Sequence, residues 1–141
     1  TGVQTCALPI YGIDQYKPYQ DWNRMITQDI IDDAKRQAFE NMEESGHKDK
    51  VIFHQVSAKE GLDLIPDGSL DWIFVDGDHS YEHAKHDISA YYSKVRSGGL
   101  FAGHDFSLPG VTRAVKEFRE ENNIKEQILF TNNDVWLWYK N

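Results

Sequence analysis

The sequence predicts an α/β domain built on a mostly parallel β-sheet. Short apolar runs alternate along the chain with longer amphipathic stretches. Glycine, proline and asparagine punctuate the boundaries between them. Polar side chains gather directly after the apolar runs, where the carboxyl ends of parallel strands would lie.

Taken in order, Ile10 to Asp14 reads as a strand end, with Pro18 in the loop that follows. Asp21 is the expected N-cap of a helix from about Trp22 to Glu44. Its residues Trp22, Ile26, Ile30, Ala34, Ala38 and Met42 step by four and predict one buried stripe. Gly46 supplies a helix-ending glycine. Val51 to Val56 is the next strand, and Ser57 caps a short helix to about Ile65. Pro66-Asp67-Gly68 forms a turn before the strand Leu70 to Val75, whose apolar end suits a central strand covered on both faces.

Ser80 is expected to cap a helix to about Val95, with Tyr81, Ala84, Ile88, Tyr91 and Val95 inward. Gly98-Gly99 is expected to break the chain before the strand Leu100 to Gly103. Pro109-Gly110 leads into a helix from Val111 to about Glu121, with Val111, Ala114, Val115 and Phe118 inward. Gln127 to Phe130 and Val135 to Tyr139 then form a hairpin around Asn132-Asn133-Asp134.

The 141 residues suffice for one domain, read as residues 11–141. Residues 1–10, Thr-Gly-Val-Gln-Thr-Cys-Ala-Leu-Pro-Ile, resemble the translation of a common sequencing-adapter oligonucleotide and are set aside from fold reasoning. A natural strand ending at Ile10 is the alternative. The balance of 15 basic against 23 acidic residues, net −8, disfavours a nucleic-acid backbone as partner, which needs a cationic footprint. Cys6 is the only cysteine, so an internal disulfide or cysteine-rich zinc site is excluded. No apolar run approaches membrane-spanning length, and a cytoplasmic location is expected.

The strand-end polar residues are Asp14, Ser57, Asp76 to His79, and His104-Asp105. A carboxylate directly after a strand, as Asp14 is, can accept the ribose hydroxyls of a nucleoside cofactor or bond within its own turn. Asp76, Asp78, His79, His104 and Asp105 mix hard carboxylate oxygens with imidazole, a set suited to magnesium, calcium, manganese, zinc or iron. His83 and His86 fall off the apolar stripe of their helix and read as a solvated flank.

Val75-Asp76-Gly77-Asp78-His79-Ser80-Tyr81-Glu82, then Asp87, Gly98-Gly99-Leu100 and Gly103-His104-Asp105-Phe106, resemble the small class I S-adenosylmethionine-dependent methyltransferases. Tyr11-Gly12-Ile13-Asp14 resembles that family's second strand with its ribose-binding acid. The resemblance spans about residues 10–140 and implies a Rossmann-like sheet with a C-terminal antiparallel hairpin. The family's first strand and glycine-rich loop have no counterpart here, so the resemblance implies a partial domain impaired in cofactor binding.

The resemblance further implies that Asp14 holds the ribose of S-adenosylmethionine and that Ser57 and Ala58 border its adenine. Asp76 and Gly77 would lie near the sulfonium. Asp76, His104 and Asp105 match positions that bind a divalent cation, magnesium or manganese, in metal-assisted relatives. His79 or His104 would otherwise act as general base. The expected reaction is methyl transfer to a small-molecule hydroxyl, with oligomeric state open. The rival expectations are a metal-dependent hydrolase using the Asp/His set and an inactive fragment.

Overall fold

The computed structural model describes residues 9–20 and 24–141. The chain divides into two compact units, Thr1–Gly61 and Leu62–Asn141.

In the first unit, β1 (Ile10–Ile13) pairs in parallel with β4 (Val51–His54), with Ile10 opposite Val51 and Ile13 opposite His54. Gly12 is required at that ladder, because a Cβ there would lie 2.8 Å from the ring of Phe53. Two short strands, β2 (Tyr19–Gln20) and β3 (Met25–Ile26), pair antiparallel before α1 (Gln28–Glu44). The helix therefore starts later than the expected Trp22. The four-residue apolar spacing continues back through Ile26, but that residue is 5% exposed within a strand. Thr27, extended at φ −81°, occupies the helix N-cap position. Asp21 and Trp22 lie outside the described residues.

The inward face of α1 also differs from the expected one. Ile30 is 45% exposed and Ala34 is exposed, while Ile31, Lys35, Ala38, Phe39 and Met42 are partly covered. Phe39 sets this face by packing on Phe53, with ring centroids 5.4 Å apart. The short helix α2 (Ala58–Gly61) follows its expected cap Ser57 but ends before the expected Ile65, passing into a 3-10 turn over Leu62–Leu64. Ser57 and Glu60 form a reciprocal capping box: the Ser57 hydroxyl donates to Glu60 at 2.6 Å, and the Glu60 amide donates back to Ser57 Oγ at 3.3 Å.

The second unit holds a mixed sheet in the order β5-β6-β8-β7. Its strands are β5 (Leu70–Val75), β6 (Val95–Gly103), β7 (Leu129–Phe130) and β8 (Trp136–Tyr139). β5 and β6 run parallel, and β8 runs antiparallel to both β6 and β7. Gly98-Gly99 does not precede β6 but lies within it. Leu70 pairs with Val95 and Trp72 with Leu100, so β6 carries extra residues in a bulge that Gly98, at φ +74°, turns. α3 (Tyr81–Tyr92) ends before Val95, which instead opens β6 and is fully buried.

α4 (Pro109–Glu121) begins with its proline in the first turn, where the missing amide costs nothing. Ala84, Ile88 and Tyr91 of α3 are buried, as are Val111, Ala114, Val115 and Phe118 of α4. They meet Phe101, Trp136 and Trp138 of the sheet, with Trp136 and Trp138 stacked at 5.3 Å. None of the described helices is long and apolar enough to cross a membrane.

The pairing of β6 with β8 sets Gly103 opposite Trp136. A Cβ at 103 would lie 2.3 Å from the indole and 2.6 Å from the Val75 carbonyl. Gly103→Ala is therefore expected to destabilise the protein by about 1–3 kcal/mol through overpacking. Urea unfolding of the two proteins measures this, and equal midpoints would contradict the close approach.

Candidate functional site

β5 and β6 end side by side, because Val75 pairs with Gly103 and the His104 amide donates to the Val75 carbonyl at 3.1 Å. This places the residues that follow both strands at one sheet end. Asp76, His79 and Asp105 each bring a ligand atom within 4.8 Å of the others. Asp105 Oδ2 lies 2.9 Å from His79 Nε2 and 3.2 Å from His104 Nδ1, so one carboxylate oxygen serves two imidazoles. The sequence reading grouped Asp76 and Asp105 with His104. The structure brings His79 into the three-residue cluster with both carboxylates, and His104 reaches the same Asp105 oxygen.

These residues line a small cleft that opens to solvent. Val75, Ile88, Val111 and Trp136 supply its apolar wall. Gly77 passes close above Asp87, whose carboxylate would lie 3.2 Å from a Cβ at 77. Asp78 accepts the Ser80 amide at 2.8 Å and so shapes the turn into α3. His83 and His86 have side chains 69% and 51% exposed and stand on the helix flank.

Several supports of the site were not singled out in the sequence. Gly110 lets the start of α4 approach the backbone of His79, since a Cβ there would meet the His79 carbonyl at 2.5 Å. Trp136 Nε1 donates to the His104 carbonyl at 3.0 Å. Asp105 has φ 58°, a left-handed conformation that costs a non-glycine residue roughly 1–3 kcal/mol. The Pro109-Gly110 pair and the asparagine-rich turn were visible in the sequence, but only as punctuation.

Electrostatics distinguish the members. Asp76 is exposed as a residue, yet burial of its carboxyl group against the cleft raises its pKa above the usual carboxylate range. The Asp105 charge adds to that rise, and His104 and His79 oppose it. The imidazole of His104 is raised above its ordinary value, first by its bond to Asp105. The Asp105 charge, an Asn133 backbone acceptor and the Asp76 charge reinforce this, against burial.

In the first unit, Asp14 is exposed directly after β1, and its Oδ1 accepts the Tyr16 amide at 2.7 Å. Asp14 thus bonds within its own turn, the plainer of its two sequence readings, and its residue is exposed. Ser57 is held by its capping box at the start of α2, with Ala58 the first residue of that helix.

Raising the pKa of His104 ties stability to pH. The bound proton stabilises the fold fully below the unfolded imidazole pKa, and that contribution is lost as pH rises through the higher folded value. In Asp105→Asn, the His104 titration measured by NMR should fall towards its ordinary value, and stability should vary less across that window. An unmoved His104 titration would show that Asp105 is not the main cause.

A protein-family model described as "Methyltransferase domain" matches residues 3–106. The match begins inside the segment read as a scar, of which residues 1–8 lie outside the described structure. The fold is similar to that of the O-methyltransferase NovP, with TM-score 0.67 and 19% identity, over 94% of this chain and 60% of NovP. It is also similar to precorrin-8w decarboxylase of Methanobacterium thermoautotrophicum, with TM-score 0.62 and 19% identity, over 94% of this chain and 69% of that one. Precorrin-6y C5,15-methyltransferase of Geobacter metallireducens gives TM-score 0.56 and 22% identity, over 73% of this chain and 60% of that one.

An uncharacterized protein of Acanthamoeba polyphaga mimivirus is 32% identical over 66 residues, covering 41% of this chain and 29% of its own length. The chain thus spans less than two thirds of NovP and of the viral relative. These likenesses bear out the α/β, Rossmann-like sheet with antiparallel C-terminal strands. On the family match over residues 3–106, the chain belongs to the methyltransferase-domain family.

Proposed function

We propose that this chain serves S-adenosylmethionine-dependent methyl transfer to a hydroxyl group of a small molecule. The observation that carries the reading is the Asp76, His79 and Asp105 cluster at adjoining strand ends in a chain of methyltransferase family. Family membership favours this over a hydrolase built on the same residues.

The residues fit the cofactor's chemistry. Asp14 offers an exposed, charged acceptor after a strand, as ribose hydroxyls require. Ser57 and Ala58 would contact the adenine, and the capping box fixes the turn that carries them. Asp76 and Gly77 would serve the sulfonium. When bound, S-adenosylmethionine supplies an electrophilic methyl group on positively charged sulfur. The chain's main task is alignment of the acceptor oxygen with that methyl, which can supply several kcal/mol.

The donor set also fits a magnesium or manganese ion. Two carboxylates offer hard oxygen ligands and an imidazole within 4.8 Å adds a borderline nitrogen, a mixture that favours manganese of the two; the raised pKa of Asp76 marks a group that a cation would stabilise in its charged form. Asp76, Asp105 and His79 would hold the ion, with His104 as the alternative imidazole. Such an ion lowers the pKa of a bound hydroxyl. Without an ion, His79 or His104 would take the proton that leaves the acceptor. Asp105 orients both rings.

Calorimetric titration with S-adenosylhomocysteine tests the cofactor reading. Asp14→Ala should bind about 10- to 100-fold more weakly than the parent chain, the worth of charge-assisted hydrogen bonds. Equal, measurable affinities would remove Asp14 from the site. Titration with manganese, followed by electron paramagnetic resonance, tests the ion. Asp76→Asn should abolish binding seen in the parent, and retained binding would place the metal elsewhere.

A further inference from the structure

The turn between β7 and β8 reaches across to the loop that carries Asp105, and its contacts converge on one residue. Asp134 Oδ1 accepts the Ser107 amide at 2.9 Å, and its Oδ2 accepts the Ser107 hydroxyl at 2.6 Å. The Asp134 carbonyl accepts the Phe106 amide at 3.3 Å. The two residues that follow Asp105 are thus fastened to Asp134 by backbone and side chain together. The residue before it is fastened by Trp136, whose indole holds the His104 carbonyl. The Leu108 amide closes the loop onto the Asp105 carbonyl at 3.0 Å.

The anchor is itself well held. The Thr131 amide donates to Val135 at 3.0 Å and the Asn133 amide to Thr131 Oγ1 at 3.3 Å, so the turn is closed on itself. The rings of Phe130 and Phe106 pack at a tilt with centroids 4.6 Å apart. Asp134 is left-handed at φ 61°, as Asp105 is at φ 58°. A left-handed aspartate persists only where its surroundings over-determine it. Both of these sit in the same clasp, and nothing in the pairing of β6 with β8 alone requires either.

We infer that Asp134 is a positioning residue for Asp105: by clasping Ser107 and Phe106 it fixes the left-handed backbone that turns the Asp105 carboxylate towards His79 and Asp76. The clasp acts through the backbone and touches no reacting group. The inference rests on the proposed metal reading only for its binding readout. Outer partners that orient a ligand commonly change metal affinity by about 10- to 100-fold.

The test compares the parent chain with Asp134→Gly and Asp134→Asn. Glycine keeps the left-handed turn and removes the carboxylate. Asparagine tolerates the same backbone and retains an acceptor for the Ser107 amide. Without metal, the NMR shifts and the φ-sensitive amide coupling of Asp105 should move in Asp134→Gly and remain near the parent values in Asp134→Asn. Thermal melts establish that both variants are folded under the conditions used.

Manganese affinity should fall about 10- to 100-fold in Asp134→Gly and recover most of that loss in Asp134→Asn. Unmoved Asp105 signals in folded Asp134→Gly would overturn the inference. A parent chain that binds no manganese, with Asp105 signals that still respond to Asp134→Gly, would sink the metal reading and leave the clasp standing.

Discussion

Gly103 and Trp136 stand opposite one another in the β6–β8 register, and the indole fills the volume where a side chain at 103 would lie. Much of the second unit depends on this contact. The absent side chain lets Trp136 reach under the strand end and join Phe101 and Trp138 in the core. The same indole turns its only donor up to the His104 carbonyl. One ring thus seals the apolar core on one side and fixes the backbone of a site residue on the other. A tryptophan suits that place because it combines a large buried surface with a directional polar handle.

Charge is arranged around this support in a way that favours a cation or a proton in the cleft. Asp76 and Asp105 face the same small space, and burial already disfavours the charge on Asp76. Two carboxylates so placed repel unless something positive lies between them. The imidazoles supply part of that compensation: His79 and His104 both reach Asp105 Oδ2, and His104 binds its proton more tightly as a result. A divalent ion would supply more charge at the same point. The cleft therefore suits a proton or a cation.

The sequence made legible whatever depends on period and on chain-local chemistry. The inward faces of α3 and α4 follow from apolar residues three and four apart, and Ala84, Ile88, Val111, Ala114, Val115 and Phe118 are indeed buried. Ser57 follows a strand and caps the next helix, as its residue type suggests, although its partner Glu60 was not singled out. The same period misled at α1, because Ile26 keeps step with the helix although it belongs to a strand paired with Tyr19. Spacing cannot see a partner strand. The bulge at Gly98-Gly99 escaped for a related reason: two glycines mark an irregularity but not whether a ladder continues through it.

The site was legible in its residue types and less so in its geometry. Asp76, His79, His104 and Asp105 stood out because reactive side chains follow apolar runs, a pattern the parallel sheet converts into proximity. Which imidazole joins the two carboxylates is decided by the angles of two turns, and no local signal encodes those. Asp134 was harder still, since it sits far along the chain and looks like any hairpin aspartate. Its relation to Asp105 exists only because β8 runs back beside β6 and returns its turn to the strand ends. The α/β sheet brings reactive groups to one edge, as it does in many proteins of differing chemistry. What this chain adds is a hairpin whose turn reaches the loop after β6 and holds it, so the direction of one carboxylate depends on residues that share no segment with it.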